Sequence, residues 1–385
     1  MTTKIINAKI VLEDRVLENS SLVIKDGVIL SIADDTAECD RVYDAEGGYL
    51  VAGFVDIHCH GGNGYDFMDA SPEEMRKISE FHLSHGTTTL VATTMTDTWE
   101  NIEAALARFG ELGDDRLTLH GVHLEGPWFS PSQCGAQSVE TMSAPSPEKL
   151  AELVEKYPFI ERFSIAPDVD ADYATGRRGV ELGRVISIAH SDADFDQTVA
   201  AADNGYSLVT HVYSGMRGVI RINAYRVAGA VEGSLYDDRL TTEVIADGKH
   251  LPAGLLKLIY KCKGSERICL VTDAMRGAGA QEGAEVVLGR LDGGNIAIVE
   301  DGVAKLPDRT SFAGSVATTD RLFRTMISLA ELPITEVSRM ISATPARVMG
   351  YTDRGSIKEG LRADLIIMDD EYKIKNIILK GDFTK

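Results

Sequence analysis

The stretch VAGFVDIHCHGG, residues 51–62, decides the fold and the chemistry that we expect of this chain. A run of strand-forming apolar residues ends in His58-Cys59-His60, and two glycines follow at once. Side chains two apart on a strand point to the same face, so His58 and His60 leave the end of this strand together. That spacing suits a pair of metal ligands, although two histidines in a polar loop are the alternative that an isolated HxH leaves open.

The composition is that of an ordinary globular chain, with 385 residues, 44% hydrophobic and 25% charged. The length exceeds one typical domain, so we expect a large domain plus a smaller one. The formal charge of −20 opposes binding to nucleic acid or to an anionic membrane. The sequence has no signal-peptide layout, no bilayer-length apolar run and no CxxC spacing among its five cysteines. We therefore expect a cytoplasmic protein with reduced thiols.

Both ends of the chain carry the period-two alternation that is typical of β-strands. Near the N-terminus, Asp26-Gly27 separates two such segments and predicts a hairpin turn. The last thirty residues repeat the pattern of short apolar strands between turn residues. We therefore predict a small β-sandwich domain that is formed by both termini, residues 1–52 plus 355–385.

The middle of the chain, residues 53–354, alternates strand and helix patterns. Ser71-Pro72 with Glu74 predicts a capped helix start, and Gly86 is placed to end that helix. Two further helices are predicted over residues 318–330 and 335–349. The eight predicted strands cover residues 50–57, 88–92, 117–124, 162–166, 185–189, 207–212, 242–246 and 267–271. Eight strand-then-helix units predict an α/β fold, the (β/α)8 TIM barrel, as the catalytic domain.

The residues at the ends of these strands are the candidates for chemistry, because such barrels carry their active sites at the carboxyl ends of the strands. All are types that bind metal or transfer protons, and they come from six separate strands. In chain order they are His58 and His60, Glu125, His190, His211, His250 and Asp273. Their placement favours a metal-dependent site over a chance distribution.

The order of the motifs HxH, LEGP, AHS, TH, ADGxH and VTDAM is similar to that of the amidohydrolase superfamily. LEGPWF and VTDAM resemble, more narrowly, the N-acetylglucosamine-6-phosphate deacetylases. The resemblance covers essentially the whole chain, including a GxIxxGxxADLII pattern that begins at Gly355. It implies a hydrolase that removes the acetyl group from N-acetylglucosamine 6-phosphate and gives glucosamine 6-phosphate and acetate.

The predicted ligands suit a divalent metal, since neutral imidazoles and a carboxylate bind Zn²⁺ or Fe²⁺ well. Glu125, His190 and His211 are expected to form the firmest site. His58 and His60 would hold a second ion, with Glu125 able to bridge. The resemblance includes members that lack the HxH pair and use one ion, so its presence here favours two.

Amide hydrolysis also needs a proton carrier and a partner for the developing oxyanion. We expect Asp273 to be the general base that takes a proton from water and later delivers it to the nitrogen. The alternative for Asp273 is a helix cap after the eighth strand. His250 could hydrogen-bond the oxyanion, and the alternative for it is an ordinary loop histidine.

The resemblance also implies where the substrate binds. Arg226 matches a phosphate-binding arginine that is often offered by the neighbouring subunit, which implies a homodimer. The segment around it, residues 215–226, carries three arginines and no acid, although three solvated arginines are the alternative. Ala313, Gly314 and Ser315 match a substrate loop whose backbone approaches the sugar.

Two departures from the family pattern concern the substrate. Gly135-Ala136-Gln137 stands where a histidine is usual, and Ser214-Gly215 stands where Asn-Ala is usual. Gln137 and Ser214 can still hydrogen-bond a sugar, so the chemistry is expected to survive. The alternatives left open are N-acetylgalactosamine 6-phosphate as substrate, an amidohydrolase that acts on another amide or cyclic imide, and a catalytically dead relative that binds without turnover.

Overall fold

Eight parallel strands form the barrel, and each lies at or beside a predicted one. The computed structural model describes residues 1–33, 36, 38–114 and 116–384, so that Lys385, the last residue of the predicted small domain, lies outside it. Neighbouring strands pair in the order in which they follow one another along the chain. The ring closes between the first and eighth strands, where Asp273 N, just beyond the eighth strand, donates to His58 O of the first at 2.9 Å. The strands are Phe54–Cys59, Thr87–Thr93, Leu119–Glu125, Ile160–Ile165, Val185–Ile188, Leu208–Val209, Thr241–Val244 and Ile268–Leu270.

A helix follows each barrel strand, which completes the predicted (β/α)8 pattern. The predicted capping box is present: Ser71 caps the first helix and the Glu74 side chain returns to the Ser71 backbone. The helix ends at Ser84, and Gly86 then adopts a φ of +97° that suits glycine. The eight helices are Pro72–Ser84, Trp99–Gly110, Pro147–Lys156, Ala174–Glu181, Phe195–Asp203, Ala230–Tyr236, Ala253–Lys263 and Thr319–Ser328.

The helix predicted over residues 335–349 is interrupted. Two short α-helical pieces, Ile334–Ser338 and Thr344–Val348, flank a π-helical turn at Arg339–Ala343. Pro345 explains the interruption, because it lacks the N–H that an uninterrupted helix would donate to the residue four positions earlier.

Strands from both termini join in one sheet, as the sequence predicts for the small β-sandwich. Leu365–Met368 pairs antiparallel with Tyr49–Ala52, so the two ends of the chain meet there. The predicted hairpin turn has φ values of +50° at Asp26 and +81° at Gly27. The inward side chains form an apolar core separate from that of the barrel. The remaining strands are Thr2–Val11, Val16–Lys25, Val28–Ile32, Arg41–Asp44, Ile374–Leu379 and Asp382–Phe383.

The apolar run of residues 50–57 serves both sheets, which corrects its prediction as a single strand. It is divided at Gly53 between Tyr49–Ala52 of the terminal sheet and Phe54–Cys59 of the barrel. A Cβ at Gly53 would lie 2.2 Å from Thr88 Oγ1, so only glycine allows the chain to pass between the sheets at this point.

Two insertions lie beyond what the sequence predicted. A hairpin, Ile220–Ile222 and Tyr225–Val227, follows the sixth barrel strand. A three-stranded sheet of Glu285–Leu288, Asn295–Glu300 and Val303–Lys305 follows the eighth, and it brings Leu288 to the mouth of the barrel. Among the described residues, no helix combines the length and the apolar character that crossing a membrane would need.

Candidate metal and active site

Six predicted residues converge at the carboxyl ends of the barrel strands in two groups of potential metal ligands. Within each group the ligand atoms all lie within 4.8 Å of one another, and every member is buried. The first group is His58, His60 and Asp273, and the second is Glu125, His190 and His211. Side chains from five separate strand ends therefore meet in one place.

The Glu125 carboxylate lies between the two groups. Its Oε1 is 2.9 Å from His211 Nε2 and 3.5 Å from His190 Nε2. Its Oε2 is 3.3 Å from His60 Nε2, and His60 Nε2 is in turn 3.2 Å from His58 Nε2. Glu125 Oε1 also lies 3.6 Å from His58 Nε2, so the carboxylate contacts both groups.

The backbone is strained where three of these residues leave their strands. His190, His211 and Asp273 have φ values of +44°, +28° and +47°, in the left-handed region that residues with a Cβ rarely adopt. Conformations of this kind persist only where the surrounding structure enforces them, and they concentrate at functional sites. The turn out of each strand directs its side chain toward the barrel axis.

The ionisable groups perturb one another strongly. Burial raises the pKa of Glu125, but the surrounding histidines, His58 foremost, hold that pKa well below its usual value. Burial lowers the pKa of His60, yet its hydrogen bonds to Asp273 and Glu125 raise that pKa well above the usual value. The cluster therefore favours positive charge where nitrogen and carboxylate oxygen atoms converge. A donor set of this kind fits a divalent ion such as Zn²⁺ or Fe²⁺.

A cavity of about 300 Å³ opens directly above the cluster. Apolar side chains, Met95, Leu251, Leu288 and Phe312, form part of its wall. Eleven of the residues singled out in the sequence also line it: His60, Glu125, Ala136, Gln137, His190, His211, Ser214, Gly215, His250, Asp273 and Gly314. His58 lies just below this layer and is fully buried. A small molecule in the cavity would thus contact both ligand groups and the predicted sugar-binding positions.

His250 and Asp273 face this cavity from the last two barrel strands. His250 Nδ1 donates to Asp247 Oδ2 at 2.8 Å, which holds the imidazole in one orientation. Burial raises the pKa of Asp273, but the charge of His58 and the hydrogen bond from His60 bring that pKa below its usual value. Asp273 is therefore an ionised carboxylate at neutral pH, and it can accept a proton.

The sequence model of the Amidohydrolase family matches residues 49–384, nearly the whole chain. The chain belongs to the amidohydrolase family. The matched region begins in the strand Tyr49–Ala52 and contains all members of both ligand groups.

Known deacetylases resemble this amidohydrolase along its full length. The N-acetylglucosamine-6-phosphate deacetylase of Lysinibacillus sphaericus is 32% identical and covers 94% of this chain and 93% of its own. The N-acetylgalactosamine-6-phosphate deacetylase of Escherichia coli O157:H7 is 30% identical and covers 98% of this chain and 97% of its own. A solved structure is also similar: that of a mutant N-acetyl-D-glucosamine-6-phosphate deacetylase from Mycobacterium smegmatis in complex with N-acetyl-D-glucosamine-6-phosphate. Its TM-score is 0.91 at 29% identity, and the match covers 100% of this chain and 98% of that one. Relatives with two different sugar phosphates in their names are therefore similar to this amidohydrolase.

In the part of the chain that the structure describes, three residues predicted to bind substrate lie outside the lining of the cavity: Arg226, Ala313 and Ser315. Ala313 and Ser315 are fully buried, and Ser315 N donates to Asp273 O at 2.7 Å, so this part of the loop supports the Asp273 backbone. Arg226 is exposed on the Tyr225–Val227 strand, where its Nη1 donates to Ala224 O at 3.1 Å. Within this subunit the amidohydrolase does not bring Arg226 to the ligand groups.

Sequence reasoning missed two residues that support the site from below. Glu243 Oε2 lies 3.0 Å from His58 Nδ1 and orients that imidazole. Glu243 also pairs with Arg162, which donates to Thr210 Oγ1 at 2.7 Å as well. Both charged side chains are fully buried, and the pair lowers the pKa of Glu243 despite its burial. The signal that could have found them is a charged residue in the middle of a barrel strand.

Proposed function

We propose that this amidohydrolase is a metal-dependent deacetylase of N-acetylglucosamine 6-phosphate, which gives glucosamine 6-phosphate and acetate. The observation that carries the proposal is the position of the Asp273 carboxylate in the cavity, beside the metal-type ligands of both groups. The similarity to deacetylases of this substrate over the full chain supports the same reaction.

Two divalent ions, Zn²⁺ or Fe²⁺, are the cofactors that we propose. Glu125, His190 and His211 would hold one ion, and His58 and His60 the other, with Glu125 shared. Bound ions of this kind polarise a carbonyl and lower the pKa of water. Support comes from the donor types, from their spacing and from the orientation of Glu125 between the groups.

The chain's own residues would carry the proton transfers. Asp273 accepts a proton from the water that attacks the acetyl carbon, and it delivers that proton to the amide nitrogen as the carbon–nitrogen bond breaks. The protonated form of His250, in which both ring nitrogens carry a proton, would donate a hydrogen bond from Nε2 to the carbonyl oxygen as negative charge develops there. The bond from His250 to Asp247 keeps the ring in place for this task.

N-acetylgalactosamine 6-phosphate is the second candidate substrate. Its support is the similarity to a deacetylase of that sugar and the departure from the family pattern at Ser214, which lines the cavity. A different N-acyl substrate remains the third candidate, because apolar residues such as Met95 and Leu288 border the same cavity.

The deciding experiment is acetate release by metal-analysed protein from N-acetylglucosamine 6-phosphate, from its galacto epimer and from the unphosphorylated sugar. We expect the highest kcat/KM on the gluco phosphate. A higher kcat/KM on the galacto phosphate would make N-acetylgalactosamine 6-phosphate the substrate in place of the gluco epimer. Protein that contains metal and releases acetate from none of the three would refute the proposed activity.

The cytoplasm is the compartment that we propose for this activity. All five cysteines are free thiols, and the exposed Cys262 is among them. Free thiols persist where the environment is reducing.

We propose further that the active form is a homodimer in which Arg226 reaches the neighbouring subunit's cavity. The hairpin that carries Arg226 exposes Ile220, Ile222 and Tyr225, and Val219 just before it is exposed as well. An exposed apolar surface of this kind fits a second protein chain, and arginine suits bidentate contact with phosphate.

Mixing two defective variants tests this arrangement. Arg226→Ala is expected to raise KM for the phosphorylated sugar, and Asp273→Asn to abolish turnover. If Arg226 acts across the dimer, a mixed dimer has one complete site, so an equal mixture regains about a quarter of wild-type kcat/KM. The mixture is refolded together and assayed at low substrate concentration. Recovery no greater than the sum of the separate variants would contradict the exchange of Arg226 between subunits.

A further inference from the structure

Gln137 lies at the edge of the cavity with both ends of its side-chain amide engaged. Its Nε2 donates to Glu125 Oε2 at 2.7 Å, and its Oε1 accepts from Thr96 N at 2.8 Å. The two contacts fix the orientation of the amide, since a backbone N–H can only donate and an ionised carboxylate can only accept. The residue is 8% exposed, so the amide is held in place by protein contacts.

The loop that carries Gln137, residues 133–137, also holds a second predicted ligand. His190 Nδ1 donates to Gln133 O at 2.8 Å, which directs His190 Nε2 toward Glu125. Gly215 leaves room for this contact: its φ is +56°, and a Cβ there would lie 2.5 Å from His190 Nδ1 and 3.0 Å from Gln133 O. The loop is therefore packed directly on His190 and Glu125.

We infer that Gln137 is a positioning residue that orients the Glu125 carboxylate for metal binding, and not a contact for the sugar. This replaces the expectation from the sequence that Gln137 hydrogen-bonds the substrate. The inference rests on the metal site of the proposed function. The hydrogen bond to Oε2 restricts rotation of the carboxylate and keeps Oε1 turned toward His190 and His211. Loss of such a partner typically weakens metal binding by about 10- to 100-fold.

The test compares two leucine variants in the same loop. Gln137→Leu is expected to weaken metal affinity by about 10- to 100-fold, measured by competition with a chromogenic chelator for Zn²⁺. KM of the variant saturated with zinc should change by less than about twofold, because a residue that does not contact the substrate contributes nothing to substrate binding. Gln133→Leu is the matched control. This variant removes the same kind of side-chain amide but keeps the Gln133 backbone carbonyl that holds His190. In the wild type the Gln133 amide donates to Asp192 Oδ1 at 3.2 Å and contacts neither ligand group. Its metal affinity should remain that of the wild type.

Gly215→Ala provides a second variant that reaches the same ligands from the other side of the loop. The added Cβ should displace His190 or Gln133 and also weaken zinc binding, again without any substrate in the assay. Unchanged affinity in Gln137→Leu with a raised KM would overturn the inference, and so would equal losses in the two leucine variants. Zinc affinity is measured without a sugar. The result therefore tests the role of Gln137 even if the protein releases no acetate from the proposed substrate.

Discussion

Asp273→Asn is expected to lower kcat by about a thousandfold while the fold and the metal content are retained. Asparagine has the same shape as aspartate, but its amide cannot take a proton from water. The position itself is fixed by the backbone, through Asp273 N to His58 O at 2.9 Å and Ser315 N to Asp273 O at 2.7 Å, and the substitution leaves both bonds intact. The loss should therefore fall on the chemical step.

The measurement is kcat with saturating substrate, together with metal analysis and circular dichroism of the same sample. Asp14→Asn makes the same chemical change at an exposed site in the turn between Thr2–Val11 and Val16–Lys25, where the carboxylate pairs with Arg15, and should leave kcat at the wild-type level. Full activity in the Asp273→Asn variant would remove Asp273 from the proposed proton transfer.

Arg162→Met is expected to have the largest effect on stability. Arg162 and Glu243 are both fully buried, and methionine would leave the Glu243 charge without its partner inside the barrel. Removal of one member of a buried ion pair typically costs about 3–5 kcal/mol in the free energy of unfolding. Because Glu243 also orients His58, zinc affinity should fall in the same variant.

Urea-induced unfolding of the metal-loaded protein measures this loss. Arg178→Met is the matched control, since Arg178 pairs with Glu181 on an exposed helix surface at 2.9 Å. Exposed pairs contribute less than about 1 kcal/mol, so the control should unfold near the wild-type urea concentration. Equal destabilisation of the two variants would mean that the buried ion pair contributes no more to the free energy of unfolding than the exposed pair.

The strand ends were predictable because two rules act together at them. Strand periodicity places His58 and His60 on one face, and the barrel rule places every strand's last residue at the same mouth. The sequence therefore predicted that Glu125, His211 and Asp273 would lie near one another. The structure brings these residues together, and what each of them does there stays a prediction.

Contacts that depend on loops and on the barrel interior could not be predicted in the same way. Gln137 bonds Glu125 only because a loop without periodicity folds back over the cavity. Glu243 stands out as a charge inside a barrel strand, but no local sequence signal shows that its partner is Arg162 of another strand. The break between two strands at Gly53 could not be predicted, because one continuous apolar run of sequence contributes a strand to each of two sheets.

The pairing of Tyr49–Ala52 with Leu365–Met368 has a consequence for synthesis of the chain. The first of these strands leaves the ribosome more than three hundred residues before its partner. During that interval its hydrogen-bonding edge stays open, while the barrel that continues directly from it can already assemble. Open strand edges and contacts between distant residues slow folding and favour aggregation. A nascent chain that stalls before its last strands is therefore the form most in need of a chaperone.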